Sequence, residues 1–329
     1  MDITSFPTNR LRRLRSSRTL RDMLAGVRLN VNELIAPLFV REGAGVRNPI
    51  DSMPGQFQFS VDTALETARR FSDLGLRAVL LFGIPETKDA VGSEAWNDGA
   101  AVQRLTSEIK AALPEMLVIT DVCLCEYTEH GHCGTLAECD GAVDVDNDAT
   151  LESLARTAAS HARCGADIVA PSAMMDGQVQ AIRSMLDADG FTNTAIMSYA
   201  VKFSSALYGP FRQAAEGAPK SGDRKTYQMD YRAPLQIHPE AALDVAEGAD
   251  MLMVKPAWTY LDVISQVRRS FDLPLAAYHV SGEFSVLHAA AANGWIDLKN
   301  AAIEVTSAIK RAGADLIVTY FAEDLAQWI

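Results

Sequence analysis

Short runs of consecutive apolar residues alternate along this chain with longer segments whose apolar positions recur at helical spacing. The runs cover residues 35–40, 78–83, 117–122, 167–172, 195–203, 251–256, 275–280 and 316–321. Between them, segments such as 61–74, 151–164, 239–247, 261–271 and 299–312 carry the pattern of amphipathic helices. Runs that are apolar throughout, rather than at alternate positions, suit parallel strands covered on both faces. Three copies of Gly-Ala-Asp, at 165–167, 248–250 and 313–315, each close a helical segment and open an apolar run, and Leu74, Gly75 and Leu76 form a looser version. Glycine at that point takes the left-handed turn that ends a helix. Eight such units in 329 residues predict an α/β fold, a (β/α)8 TIM barrel over residues 31–329, with an open doubly wound sheet as the alternative. The connections 85–99 and 203–232 are long for such a fold and read as lids or binding loops.

Residues 1–28 break the pattern. Seven arginines (Arg10, Arg12, Arg13, Arg15, Arg18, Arg21 and Arg28) face two acids there, although the whole chain has a net charge of −12. The segment 1–30 is read as a basic arm that docks on an acidic neighbouring subunit; a transit peptide or an unstructured tail would share its composition. The acidic balance of the rest excludes nucleic acid as the main partner, since phosphate backbones call for concentrated positive charge. No apolar run approaches the length of a membrane span and the N-terminus lacks a signal-peptide apolar region, so the expectation is a soluble, cytoplasmic protein.

Reactive side chains gather where the apolar runs end, which in a barrel is the catalytic face. The third run ends in Asp121, followed by Cys123, Cys125 and, eight residues on, Cys133. Three thiolates at that spacing can wrap three sides of a tetrahedral zinc and leave one position open, as catalytic zinc requires. His130 or His132 could add a fourth ligand or an outer partner, and Glu126 and Glu129 are further acceptors; a disulfide or inert buried thiols are the plainer readings. The fourth run ends in Ser172, the fifth passes Tyr199 to reach Lys202, the sixth ends in Lys255, the seventh leads to Ser281 and the eighth holds Tyr320. Two lysines at the ends of adjacent strands push each other towards the neutral, nucleophilic amine, the form that makes a Schiff base with a ketone. The long loop 203–232 carries Arg212 and Arg224 among Tyr208, Phe211, Lys225 and Gln228, a composition able to clamp a carboxylate. The stretch 278–283 reads as a turn with hydroxyl and backbone donors for a second one.

The chain resembles the porphobilinogen synthase (5-aminolevulinate dehydratase) family through DVCLCEYTEHGHCG at 121–134, APSAMMDG at 170–177, YAVKFSSALYGPFR at 199–212, GDRKTYQMD at 222–230, MLMVKP at 251–256, YHVSGE at 278–283 and TYF at 319–321. These motifs run in order along nearly the whole sequence. The resemblance implies a barrel lyase of tetrapyrrole and heme biosynthesis that condenses two 5-aminolevulinate molecules into porphobilinogen with loss of two waters. It assigns the Schiff bases to Lys202 and Lys255, one substrate carboxylate to Arg212, Arg224 and Gln228, the other to Ser281 and Tyr320, and zinc to Cys123, Cys125 and Cys133. Asp121 and Ser172 would orient water or amine, Tyr208 and Phe211 would line the substrate site, and the assembly would be a homo-octamer whose N-terminal arms wrap neighbours. Two positions depart from the family: Ala173 stands where many relatives have Asp, and Gln236 falls where relatives with an allosteric magnesium have Glu, a neutral amide being a poor ligand for a hard cation. Competing with this reading are a class I aldolase-like lyase, which needs a single lysine, and a non-catalytic zinc or redox sensor built on the cysteine loop.

Overall fold

The computed structural model describes residues 5–139 and 142–329. At its centre are eight parallel strands, β1 (Leu34–Arg41), β2 (Ala78–Ile84), β3 (Leu117–Val122), β4 (Ile168–Pro171), β5 (Ala195–Lys202), β6 (Met251–Lys255), β7 (Leu275–His279) and β8 (Leu316–Thr319). Each pairs with the next, and β1 returns to β8 with Leu34 opposite Ile317 and Ile35 opposite Val318. The sheet is therefore a closed TIM barrel and not the open alternative. All eight apolar runs are strands, buried at almost every position because helices cover the outer face and side chains fill the interior. The helices Val61–Asp73, Asn147–Arg163, Ile237–Glu247, Leu261–Ser270 and Leu298–Ala312 match the amphipathic segments to within a few residues.

The Gly-Ala-Asp repeat has a structural cause. Gly165, Gly248 and Gly313 have φ of +97°, +104° and +126°, which a side chain would resist. The alanines, Ala166, Ala249 and Ala314, are buried in the barrel floor. The carboxylates of Asp167, Asp250 and Asp315 accept hydrogen bonds of 2.8, 2.8 and 2.9 Å from the backbone N–H of Val118, Ile196 and Leu275. Each thus ties the foot of its strand to the foot of the strand before it, fixing the stagger of a barrel whose other end must hold the chemistry. Lys110 and Arg268 pair with two of these carboxylates.

Three elements depart from the sequence pattern. Residues 281–292, whose beginning reads as a turn, form the helix Ser281–Ala292; its alanine-rich sequence is apolar all round and so has no helical period to read. The fourth and eighth strands stop at Pro171 and Thr319, leaving Ser172 and Tyr320 just past the strand ends. After the cysteine loop comes a hairpin of Leu136–Cys139 and Ala142–Val145. Upstream of the barrel, Leu11–Arg15 and Arg18–Leu24 are short helical turns with no buried residue, and all seven arginines of the segment are exposed. Among the described residues no helix is long and apolar enough to cross a membrane.

Candidate active site

The barrel register places Lys202 of β5 directly beside Lys255 of β6. Each is only 5% exposed, although lysine is among the residues least often buried. The Lys255 amine sits within four aromatic rings, with Nζ 4.2 Å from the centroid of Tyr278, 5.0 Å from Tyr199, 5.1 Å from Phe211 and 5.4 Å from Tyr208. Burial, and after it the charge of Lys202, brings Lys255 down to about 7. Lys202 donates to the backbone carbonyl of Ser172, and the hydroxyl of Ser172 donates to Asp121 Oδ2 at 3.0 Å. Asp121 is pushed up to about 7, first by burial and then by the charge of Glu126. A neutral amine and a carboxyl able to hold or release a proton thus lie in one pocket near neutrality.

On the other side of Asp121 the three cysteines converge. Their Sγ atoms lie within 4.8 Å of one another, all buried, with Cys123 and Cys125 3.5 Å apart and no disulfide between them. Hydrogen bonds with Cys123 and Cys125 hold the Cys133 thiol well below its ordinary value, and those with Cys125 and then Cys133 push Cys123 up, so the trio shares its protons. Glu126, buried and pushed up to about 8 first by burial and then by the neighbouring Cys125, accepts from Cys125 Sγ at 3.3 Å. Three soft donors on one point, with carboxylate oxygens of Asp121 and Glu126 that have no partner among the described residues, fit a thiophilic divalent metal.

The histidines are not part of that donor set. His132 places Nδ1 3.0 Å from the Tyr227 hydroxyl and Nε2 2.9 Å from the Ser221 carbonyl, and His130 Nε2 lies 3.1 Å from the Ala90 carbonyl. Their rings are spent on fastening loops, which corrects the expectation of a fourth ligand. In the stretch after the seventh strand, Glu283 accepts from Val280 N at 2.9 Å and, across from it, from Trp258 N at 2.8 Å.

A loop from Phe203 to Arg232 covers the lysines. Its ends meet beneath it, Phe203 N donating to the Lys255 carbonyl at 3.0 Å and Met229 N to the Lys202 carbonyl at 3.1 Å. Arg212 lies on its short helix Gly209–Ala214, and burial followed by the charge of Arg224 disfavours its cation. Arg224 is 6% exposed and donates to the Gly131 carbonyl at 2.8 Å; burial opposes its charge, but the neighbouring Cys133 and Cys125 sulfurs outweigh that and hold it cationic. Nε of both arginines, and both ends of the buried Gln228 amide, have no partner among the described residues. Two crowded cations and an unbonded amide suit an anionic group placed between them.

Tyr208 contributes its ring, because its hydroxyl is held by the Phe203 carbonyl at 2.7 Å. Phe211 packs edge-on to Phe82 at 5.0 Å, and its N–H donates to Ser281 Oγ at 2.9 Å. Tyr320 shares a 3.0 Å hydrogen bond with Tyr278, so one hydroxyl of the pair has a proton to give elsewhere. Lys225 points away to Asp223. Ala173 is fully buried, and Gln236 is exposed on the rim of a cleft shared with Asp144, Asp176, Asp230 and Glu240. The aromatic cage as a unit went unread in the sequence: Tyr199 and Tyr278 open two of the motifs but carried no assigned role, and only barrel closure brings them to Lys255.

Taken together, a closed parallel barrel with paired buried amines at adjacent strand ends, three clustered thiols and a cationic lid has the side chains that a Schiff-base-forming barrel enzyme requires. The chain belongs to the delta-aminolevulinic acid dehydratase family, whose model matches residues 8–328. It is 52% identical over 324 residues to the delta-aminolevulinic acid dehydratase of Synechococcus elongatus, covering 98% of this chain and 99% of the relative. It is 50% identical over 321 residues to that of Bacillus subtilis, covering 98% of each. Among solved structures, the delta-aminolevulinic acid dehydratase (porphobilinogen synthase) of Toxoplasma gondii in complex with the reaction product porphobilinogen superimposes with a TM-score of 0.94 at 41% identity, covering 98% of this chain and 91% of that one.

Proposed function

We propose that this protein is a porphobilinogen synthase that condenses two 5-aminolevulinate molecules with loss of two waters, and that the pair of register-matched buried lysines carries the chemistry. The neutral amine of Lys255 adds to the ketone carbon of one substrate. The carbinolamine loses water, with a proton supplied to the departing hydroxyl from the Asp121 and Ser172 pair, and leaves a protonated imine that is a better electrophile than the ketone. Lys202 forms the second imine. Its amine shares the Ser172 and Asp121 network, so the same proton store serves both. Arg212, Arg224 and Gln228 clamp the carboxylate of one substrate under the lid, and Tyr320 and Ser281 receive that of the other. Tyr208, Phe211, Tyr199 and Tyr278 exclude water, which favours imine over hydrated ketone.

Cys123, Cys125 and Cys133 would hold zinc. When bound, it supplies a Lewis acid for the free substrate amine or for water. Free thiols fit a reducing compartment such as the cytoplasm. The basic segment 1–30, whose seven arginines are exposed, is the arm through which a homo-octamer would assemble, and 31–329 the catalytic domain. An aldolase-like reaction needs only one of the two lysines, so the matched pair favours the condensation. The test is direct: metal-loaded protein given 5-aminolevulinate alone forms the pyrrole product, identified by its mass. Absence of product under those conditions would overturn the proposal.

A further inference from the structure

The lid is fastened to the start of the barrel by a group of residues to which the chemistry assigns no part. Glu216, four residues beyond the proposed substrate ligand Arg212 in the loop, has φ +51°, a backbone conformation that residues with a side chain rarely adopt. In that conformation its side chain turns back towards the barrel. Gln58, 8% exposed and paired in register with Phe39 of β1, donates from Nε2 to the Ala214 carbonyl at 2.8 Å and to Glu216 Oε1 at 3.2 Å. Arg41, at the end of β1, donates to Gln58 Oε1 at 2.7 Å and pairs with Glu216 Oε1 at 3.4 Å. Lys88 completes the group by donating to the Glu216 carbonyl at 2.6 Å. Both amide hydrogens and the oxygen of Gln58 are thereby used.

We propose that Arg41, Gln58 and Glu216 form a latch that sets the closed position of the lid and so positions Arg212 against the substrate carboxylate; this rests on the reading of Arg212 given above. The short helix Gly209–Ala214 is pinned at its start by the Phe211 bond to Ser281 and at its end by the Gln58 bond to Ala214. Six residues cannot hold themselves helical in water, so these two ties determine where its side chains point. Directly after the latch, Gly217 lies against the Cys125 backbone, and a Cβ there would come within 3.1 Å of the Cys125 carbonyl oxygen. The latch therefore couples the lid both to the carboxylate clamp and to the thiol loop. These are positioning residues: none reaches the lysines. What they control is the fraction of time the clamp is assembled, which appears as substrate affinity rather than as the rate of the bond-making steps.

Two variants test this. Glu216→Gly removes the carboxylate while accepting the left-handed backbone, and Gln58→Met removes the donors at nearly constant volume. The first readout is hydrogen exchange of amides 209–228 in the metal-loaded, substrate-free protein. The second is the split of KM from kcat for 5-aminolevulinate. Loss of two hydrogen bonds to a carboxylate in Glu216→Gly, and of three bonds in Gln58→Met, predicts exchange about tenfold faster in the lid and KM up about tenfold, with kcat changed less than about threefold. Lid exchange and KM both within about twofold of the parent in both variants would overturn the latch, as would a fall in kcat at unchanged KM. Glu216 is half exposed, so its replacement leaves the barrel intact and covers the case in which Gln58→Met fails to fold. If the parent protein made no imine at Lys255, the Schiff-base reading would fall, yet the exchange measurement, made without substrate, would still decide the latch.

Discussion

Replacing Lys202 by Met should move the ionisation of Lys255 in a direction the structure dictates. Lys255 has an ordinary value of 10.5 and is brought to about 7, first by burial and second by Lys202. A cation on the adjacent strand, about 5 Å away, repels it by about 3 kcal/mol at an effective dielectric constant of about 20, which bounds its effect at about two pH units. Burial is the larger cause and Asp121 opposes both, so the Lys202 share is smaller than that of burial and on the order of one pH unit. The sign follows from the type of group. Lys255 is a base with a lowered ionisation, so its nucleophilic neutral form dominates above about 7 and is lost as pH falls through that value. Without the Lys202 charge the protonated form is less opposed, and the acid limb should rise to roughly 8. The assay is the rate at which borohydride traps a 5-aminolevulinate adduct on Lys255, measured across this range with metal-loaded protein. An acid limb that stays in place or moves to lower pH would refute the coupling of the two amines.

Three further outcomes are expected. Cys125→Ala should lower metal affinity by more than tenfold, on the order of the loss of one ligand, whereas Cys164→Ala, outside the cluster, should leave metal stoichiometry by atomic emission unchanged; equal affinities in the two variants would contradict the three-thiol site. Deleting residues 1–28 should give smaller particles by light scattering and lower turnover, and an unchanged mass with unchanged activity would reduce the arm to a tail. Gly282→Ala should lower activity and stability together, because its Cβ would stand 2.5 Å from the Leu207 carbonyl at the entrance to the lid. Overpacking of that kind costs about 1–3 kcal/mol, read as a lowered unfolding midpoint.

The strands were legible because each is buried on both faces and so is written as an unbroken apolar run, and because the Gly-Ala-Asp turns mark where alternate units begin. The helix Ser281–Ala292 was not, since His288 and the alanines around it give no polar face to read. At the site, the lysines and cysteines could be found from their places at strand ends or from their spacing. The work of His130 and His132 could not, because the carbonyls that occupy them, Ala90 and Ser221, belong to distant loops. The same holds for the cage around Lys255, whose rings come from β5, β7 and the lid. Asp121 and Glu126 acquire near-neutral ionisation only by sharing one buried volume, which no local sequence pattern records.

The most direct measurement of the central claim is borohydride trapping of the parent protein with 5-aminolevulinate during turnover, followed by mass mapping of the modified peptides. The account predicts adducts at Lys255 and at Lys202, with the Lys255 adduct retained and porphobilinogen formation lost in Lys202→Met. Absence of any adduct on Lys255 in active protein, or full turnover in Lys202→Met, would contradict it.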